Sequence, residues 1–432
     1  MLFRTCAAFL ALSSLVAPLA AQTNPLPDPD SVRLDRLQLM QGFPAPANRQ
    51  VTAANHRKYP NMRWAFHHMR EMFPTRNIAR GAGPVSPLPA GPDLRQRIDA
   101  IRFTGANGKE QTFADYLKTS YADATLVMKD GKVVYETYME GMPAQNPHLM
   151  FSVTKSVVGL IASQLIDEGA LRADRLVTEY LPELKDSGWK GATVQQVLNM
   201  TADVDYTEIY DTNRSGVAQY IKVIGLEPVA ADEQGPRDLY SYLPKIGAAG
   251  AHGERFIYRT VHTEVLGWIL QRATGEHLAD LISKRLWQPM GSEYDAHMLV
   301  DPHGAEWAGI GLNATLRDLG RLGELMRNEG RVDGKQIISA NVVREIRRGG
   351  DREAFKASGN ADRQGYSYRN QWWISHNSDG TYEALGVRGQ MIHVNPTAGL
   401  VVVRLSSHPL ADSSTTYPVT ARAMAALASA LR

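Results

Sequence analysis

The chain predicts an α+β fold: an antiparallel sheet flanked by helices, with a helical subdomain inserted into it. Two observations carry this. β-rich runs concentrate at 125–128 and 133–138, and again at 371–375, 391–394 and 400–405, with short turns at Asp379-Gly380 and Asn395-Pro396. Consecutive strands joined by short turns pair antiparallel, and the early pair belongs in the same sheet. Between these two groups the pattern changes to apolar residues at helical spacing, at 176–184, 194–200, 217–224 and 263–273.

Taken in order, the chain opens with Arg4, an apolar run from Cys6 to Leu19 and then Ala20-Ala21-Gln22, the pattern of a secretory signal covering residues 1–21. An exported protein, periplasmic or secreted, is expected. Cys6 is the only cysteine, so the mature chain would have no thiol nucleophile, disulfide or thiolate metal site. No later stretch offers about 20 uninterrupted apolar residues, the length a spanning helix needs.

Residues 22–94, rich in Pro, Asn and Arg, form an extension over the main body. It carries His67-His68 near a helical patch at 64–72. Adjacent side chains on a helix diverge and no H-E-x-x-H pattern accompanies them, so they are expected to be surface or interface histidines. The sheet domain takes 95–170 and 295–432, and the helical subdomain 171–294. In the sheet domain, Asp130-Gly131 between two β-rich runs predicts a hairpin. The helix that follows ends at Gly169, a glycine suited to a C-cap. Thr315 and Asp318 are spaced as a capping box before another helix, and a last helix closes the chain from 416 to 431.

Net charge is +2, with no long run of one sign, so nucleic acid is not an expected partner. The stretch that promises chemistry is Phe151-Ser152-Val153-Thr154-Lys155. Ser152 and Lys155, three apart at the start of a buried helix, put a hydroxyl beside an amine, and free N–H groups at a helix start favour an oxyanion. A serine hydroxyl needs such a base to become a nucleophile. Pattern alone leaves open an N-cap serine with an incidental lysine.

Further stretches fit one scheme: Tyr258 running into Glu264-Val265-Leu266-Gly267-Trp268, Gly311-Leu312-Asn313-Ala314-Thr315 to Asp318, and Gly386-Val387-Arg388-Gly389-Gln390. In this order, over roughly residues 95–430, the chain resembles the serine β-lactamase/penicillin-binding-protein superfamily, in its class C-like branch of esterases and amidases that includes 6-aminohexanoate-dimer (nylon-oligomer) hydrolases. The resemblance implies a β-lactamase/transpeptidase-like fold, with Ser152 as nucleophile, Lys155 as its helix neighbour and Tyr258 at the tyrosine of the family's Y-x-N motif. A lysine beside a phenol favours the phenolate and a neutral lysine could itself accept a proton, so the general base is the Lys155/Tyr258 pair, undivided.

The sequence departs from the family at two places. Thr260 stands for the Y-x-N asparagine, and Val387-Arg388-Gly389 stands for K-T-G. Gly389 still permits close approach of an acyl group, so the N–H groups of Ser152 and Gln390 are expected to form the oxyanion hole. The resemblance also puts Tyr210 and Asn313 at the substrate cleft, with Arg388 and Gly389 beside them. Without the K-T-G lysine, penicillin chemistry is disfavoured, and an ester or amide small molecule is the expected substrate. Other readings are a D-Ala-D-Ala carboxypeptidase or β-lactamase of the same fold, and an idle cell-wall or peptide-binding module. No G-x-S-x-G elbow and no glycine-rich phosphate loop occur, and no metal or organic cofactor is implied.

Overall fold

The computed structural model describes residues 26–432, apart from 107, 211, 231 and 413. The predicted signal segment, with Cys6, lies outside the described residues. The main sheet has seven strands: β1 (Ala122–Lys129), β2 (Lys132–Tyr138), β3 (Ser367–Arg369), β4 (Trp372–Ile374), β5 (Tyr382–Gly386), β6 (Gln390–Asn395) and β7 (Leu400–Ser406), in the spatial order β3-β4-β5-β6-β7-β1-β2. All neighbours are antiparallel, and Ile392 faces Val403, which faces Leu126 on its other side. Asp130 and Gly131 both have positive φ, 48° and 77°, so the β1–β2 turn is the primed type whose twist suits a hairpin.

The sheet is buried on both faces, which is why β7 opens on four successive apolar residues, Leu400 to Val403. Alternation divides it: Leu126, Val401 and Val403 join one core, while Val127, Leu400 and Val402 join another with Ala423 and Leu427. Four longer helices frame it: α1 (Val153–Asp167), α2 (Thr260–Thr274), α3 (Leu316–Arg327) and α4 (Tyr417–Leu431). α3 lies close on the sheet because Gly320 and Gly323 have no side chain; a Cβ at either would come within 2.4 Å of Leu126 or Val401. A second sheet of four strands runs in the order Thr75–Ile78, Ala296–Leu299, Leu312–Ala314, His148–Leu149. The N-terminal extension thus supplies an edge strand, and its Met62, Phe66, Met69 and Phe73 sink into the larger core.

Several local expectations change. β3 and β5 were not anticipated. The β3–β4 turn is Asn370-Gln371, both at positive φ (47° and 69°), an uncommon turn pair. Gln371 tolerates it because its carboxamide is tied to the carbonyls of Val197 and Leu198 and to the hydroxyl of Thr263. Asp318 completes only half of the capping box. Its N–H donates to Thr315 Oγ1, but its carboxylate turns to accept from the N–H groups of Glu293 and Tyr294. His67 is buried, and its ring lies 4.3 Å from that of His68. Both residues follow the short helix Met62–Ala65, so helical divergence no longer applies.

Candidate active site

Ser152 sits at the N-cap of α1, and the turn that presents it is pinned from three sides. Leu149 N–H donates to Phe66 O, Met150 N–H to Leu312 O, and Leu312 N–H to Thr154 Oγ1. Phe151, just before the serine, is held at φ 45°, a sparsely populated region for a bulky residue that surrounding packing must enforce. Phe66 meets its ring edge-on at 5.1 Å. α1 itself lies tight against the sheet, since a Cβ on Gly159 would meet Asn370 O at 2.3 Å.

Lys155, fully buried, donates from Nζ to Ser152 Oγ at 2.9 Å and to Gly309 O at 2.8 Å. Tyr258 comes from an extended segment before α2, anchored by Ile257 N–H to Met200 O and Phe256 N–H to Ala354 O. Its phenol lies close enough to the Ser152 side chain for that group to favour the phenolate against burial, and Lys155 Nζ lies 5.2 Å from its ring centre. The ring stacks on Trp373 at 5.5 Å. Trp372, the other member of the tryptophan pair, points into the core and donates to Ser156 O, as strand alternation requires. Ser152, Lys155 and Tyr258 therefore meet, although 106 positions separate the first from the last.

Burial dominates the electrostatics. It pushes the Tyr258 phenol above its ordinary range and draws Lys155 down to about 8, against the pull of Glu208 and Glu264. Glu264, fully enclosed, is raised to about 7 by the same desolvation. It accepts from Tyr220 Oη and from the N–H groups of Ala308 and Gly309, so one residue, Gly309, links it to Lys155.

Sequence reasoning missed Glu208. Its carboxylate accepts from the Thr260 N–H (3.0 Å) and hydroxyl (2.5 Å) and from Tyr210 Oη (2.7 Å). Threonine at the Y-x-N asparagine position thus works with a carboxylate from the helical subdomain. The only hint in the sequence is an acid set among Tyr206, Thr207 and Tyr210.

Ser152 opens into a cleft of about 580 Å³ lined by Tyr258, Trp373, Arg363, Glu208, Gly389 and Gln390, among others. A smaller lobe of about 290 Å³ adjoins it, sharing Ser152, Ile209, Tyr210, Val387 and Ala411. Tyr210 faces both lobes. Gly389 has φ +95°, and a Cβ there would lie 2.8 Å from Ser406 Oγ, so glycine is required. The Gln390 side chain is engaged with Ser406, and Gln390 lines the same cleft as Ser152. Among the described residues, the Ser152 N–H has no acceptor. Arg388 lies in the smaller lobe and forms no ion pair among the described residues.

Asn313 is fully buried between His148–Leu149 and Ala296–Leu299 and donates to Gly311 O, while its Oδ1 has no partner among the described residues. Its strand runs behind the nucleophile turn. No group of three or more His, Cys, Asp or Glu among the described residues could hold a metal.

A serine at a helix start, a lysine one turn on and a tyrosine from the inserted subdomain, beside an antiparallel sheet, define the β-lactamase/penicillin-binding class of serine hydrolases. The family model described as Beta-lactamase matches residues 110–427, and the chain belongs to that family. It is 34% identical over 375 residues to the 6-aminohexanoate-dimer hydrolase of Paenarthrobacter ureafaciens, covering 86% of this chain and 92% of that one. A Bacillus anthracis structure provisionally described as a 6-aminohexanoate-dimer hydrolase superposes with a TM-score of 0.81 at 29% identity, covering 89% of this chain and 98% of that one. Esterase EstB of Burkholderia gladioli is 28% identical over 198 residues, 41% of this chain and 47% of its own length. The protein is a serine hydrolase close in sequence to the dimer hydrolase. Among the described residues, no helix is long and apolar enough to cross a membrane.

Proposed function

We propose that this enzyme cleaves an ester or amide bond of a small linear molecule through an acyl-enzyme on Ser152. The observation that carries the reading is the Ser152 hydroxyl, 2.9 Å from Lys155 Nζ and beside the Tyr258 phenol, at the wall of an open cleft. Burial keeps the Tyr258 phenol protonated and brings Lys155 close to neutrality at working pH, so the neutral amine accepts the serine proton. Ser152 Oγ then bonds to the carbonyl carbon, and the N–H groups of Ser152 and Gln390 hold the oxyanion. On collapse, the leaving oxygen or nitrogen takes a proton through Tyr258, which Lys155 replaces. A water activated at the same pair then attacks the acyl carbon, its proton goes to the pair, and Ser152 Oγ leaves reprotonated.

Similarity to a dimer hydrolase favours short linear amides, and to EstB, esters. The apolar run after Arg4 supports export to the periplasm or beyond. Turnover of p-nitrophenyl butyrate by the wild type and by Ser152→Ala tests the nucleophile. A loss of about 10⁴-fold or more is expected, whereas full activity in the variant refutes it.

A further inference from the structure

The smaller lobe borders two other spaces. It shares Ser152 with the larger lobe, and it shares Arg57, Leu226 and Glu227 with a third cavity of about 370 Å³, whose far side carries Ala53, Ala54 and Pro228. Those three shared residues are the partition between the lobe and the third cavity. Leu226 and Glu227 follow the helix Gly216–Val223, and the N–H groups of both donate to Ile221 O. Arg57 comes from the N-terminal extension, where His56 N–H donates to Thr52 O and Lys58 N–H to Asn55 O. The backbone is therefore held on both sides, and what closes the partition is a pair of side chains: Arg57 Nη1 donates to Glu227 Oε1.

Val217, Ile221, Leu226 and Ile310 give the lobe an apolar wall that suits a methylene chain. A linear chain growing along this wall gains with each methylene it buries. The gain stops at the pair. Glu227 keeps 40% of its side chain exposed, so its charge is still hydrated, and an apolar chain end would strip that water without offering a hydrogen bond in return.

We infer that the Arg57–Glu227 pair is the end-stop of the smaller lobe: it sets the longest linear chain the enzyme accepts beside the scissile carbonyl, and the third cavity is the room a longer chain enters once the pair is removed. This rests on Ser152 being the nucleophile, because that residue is where the lobe meets the larger one.

Two neutral substrate series test it. One holds p-nitrophenyl esters with acyl chains from butyrate to decanoate; the other holds butyrate esters with alcohols from butyl to decyl. In one series the wild-type kcat/KM is expected to rise by up to about fourfold per methylene and then to fall. Arg57→Ala and Glu227→Ala should each move the maximum to a longer chain and raise the decanoate-to-butyrate (or decyl-to-butyl) ratio by about tenfold or more, the worth of two further buried methylenes. The double variant Arg57→Glu/Glu227→Arg, which rebuilds the pair with its charges exchanged, should bring the ratio back towards the wild-type value. A ratio unchanged in both single variants overturns the assignment. So does a wild-type profile that never turns down in either series, a measurement that needs no variant to fold. Phosphonate labelling of Ser152 separates the two readings: a labelled serine with no chain-length maximum refutes the end-stop alone, and an unlabelled serine refutes the nucleophile.

Discussion

The two lobes on either side of Ser152 are built differently. The larger one is walled by the main sheet and by stacked rings: Tyr258 against Trp373, and Arg363 within 4.6 Å of Trp373 and 4.1 Å of Tyr417. Its reactive groups hang from α1 and from a segment anchored at the two residues before Tyr258. The smaller one is assembled from an extension, a subdomain and a strand turn, three stretches far apart in the chain. Under the proposed function, the side built on α1 would perform bond cleavage, and the composite side would meet the rest of the substrate.

That division can be broken by experiment. Lys155→Ala should cost about 10³–10⁴-fold in kcat/KM, equally for short-chain and long-chain substrates; steady-state kinetics on both would contradict the division if the losses differ. Tyr258→Phe should cost about 10²–10³-fold, again irrespective of chain length. The wild-type rate should rise with pH through about 8, because the reactive form of Lys155 is the neutral amine and protonation below that value removes it.

Glu264 sharpens this point. Its carboxylate favours the ammonium, so Glu264→Gln should move the acid limb of the kcat/KM profile to lower pH by roughly one unit. A limb that stays in place, in a variant whose Tm shows it folded, leaves Glu264 a purely structural acid. Smallest is Gly389→Ala, expected to lower unfolding free energy by roughly 1–3 kcal/mol through the positive φ and the contact with Ser406. Urea titration reads this directly.

The same contrast explains what the sequence could disclose. The nucleophile side was legible because helical spacing ties Ser152 to Lys155 locally, and because Tyr258 precedes a long helix-forming run. The β1–β2 hairpin was legible because Asp-Gly is chemically suited to its turn, whereas Asn370-Gln371 hides a turn stabilised by tertiary bonds to Val197, Leu198 and Thr263. Glu208, Arg57 and Glu227 carry no local signal, since what brings them to the cleft is packing between distant stretches. Asn313 is the mirror image: an informative neighbourhood in the chain, but a fully buried side chain.

The most direct test of the central claim is peptide mass mapping after treatment with an activated phosphonate. The account predicts one adduct, on the peptide containing Ser152, whose formation speeds up as pH rises through about 8. An adduct on another residue, or none while the enzyme still turns over an ester, would contradict it.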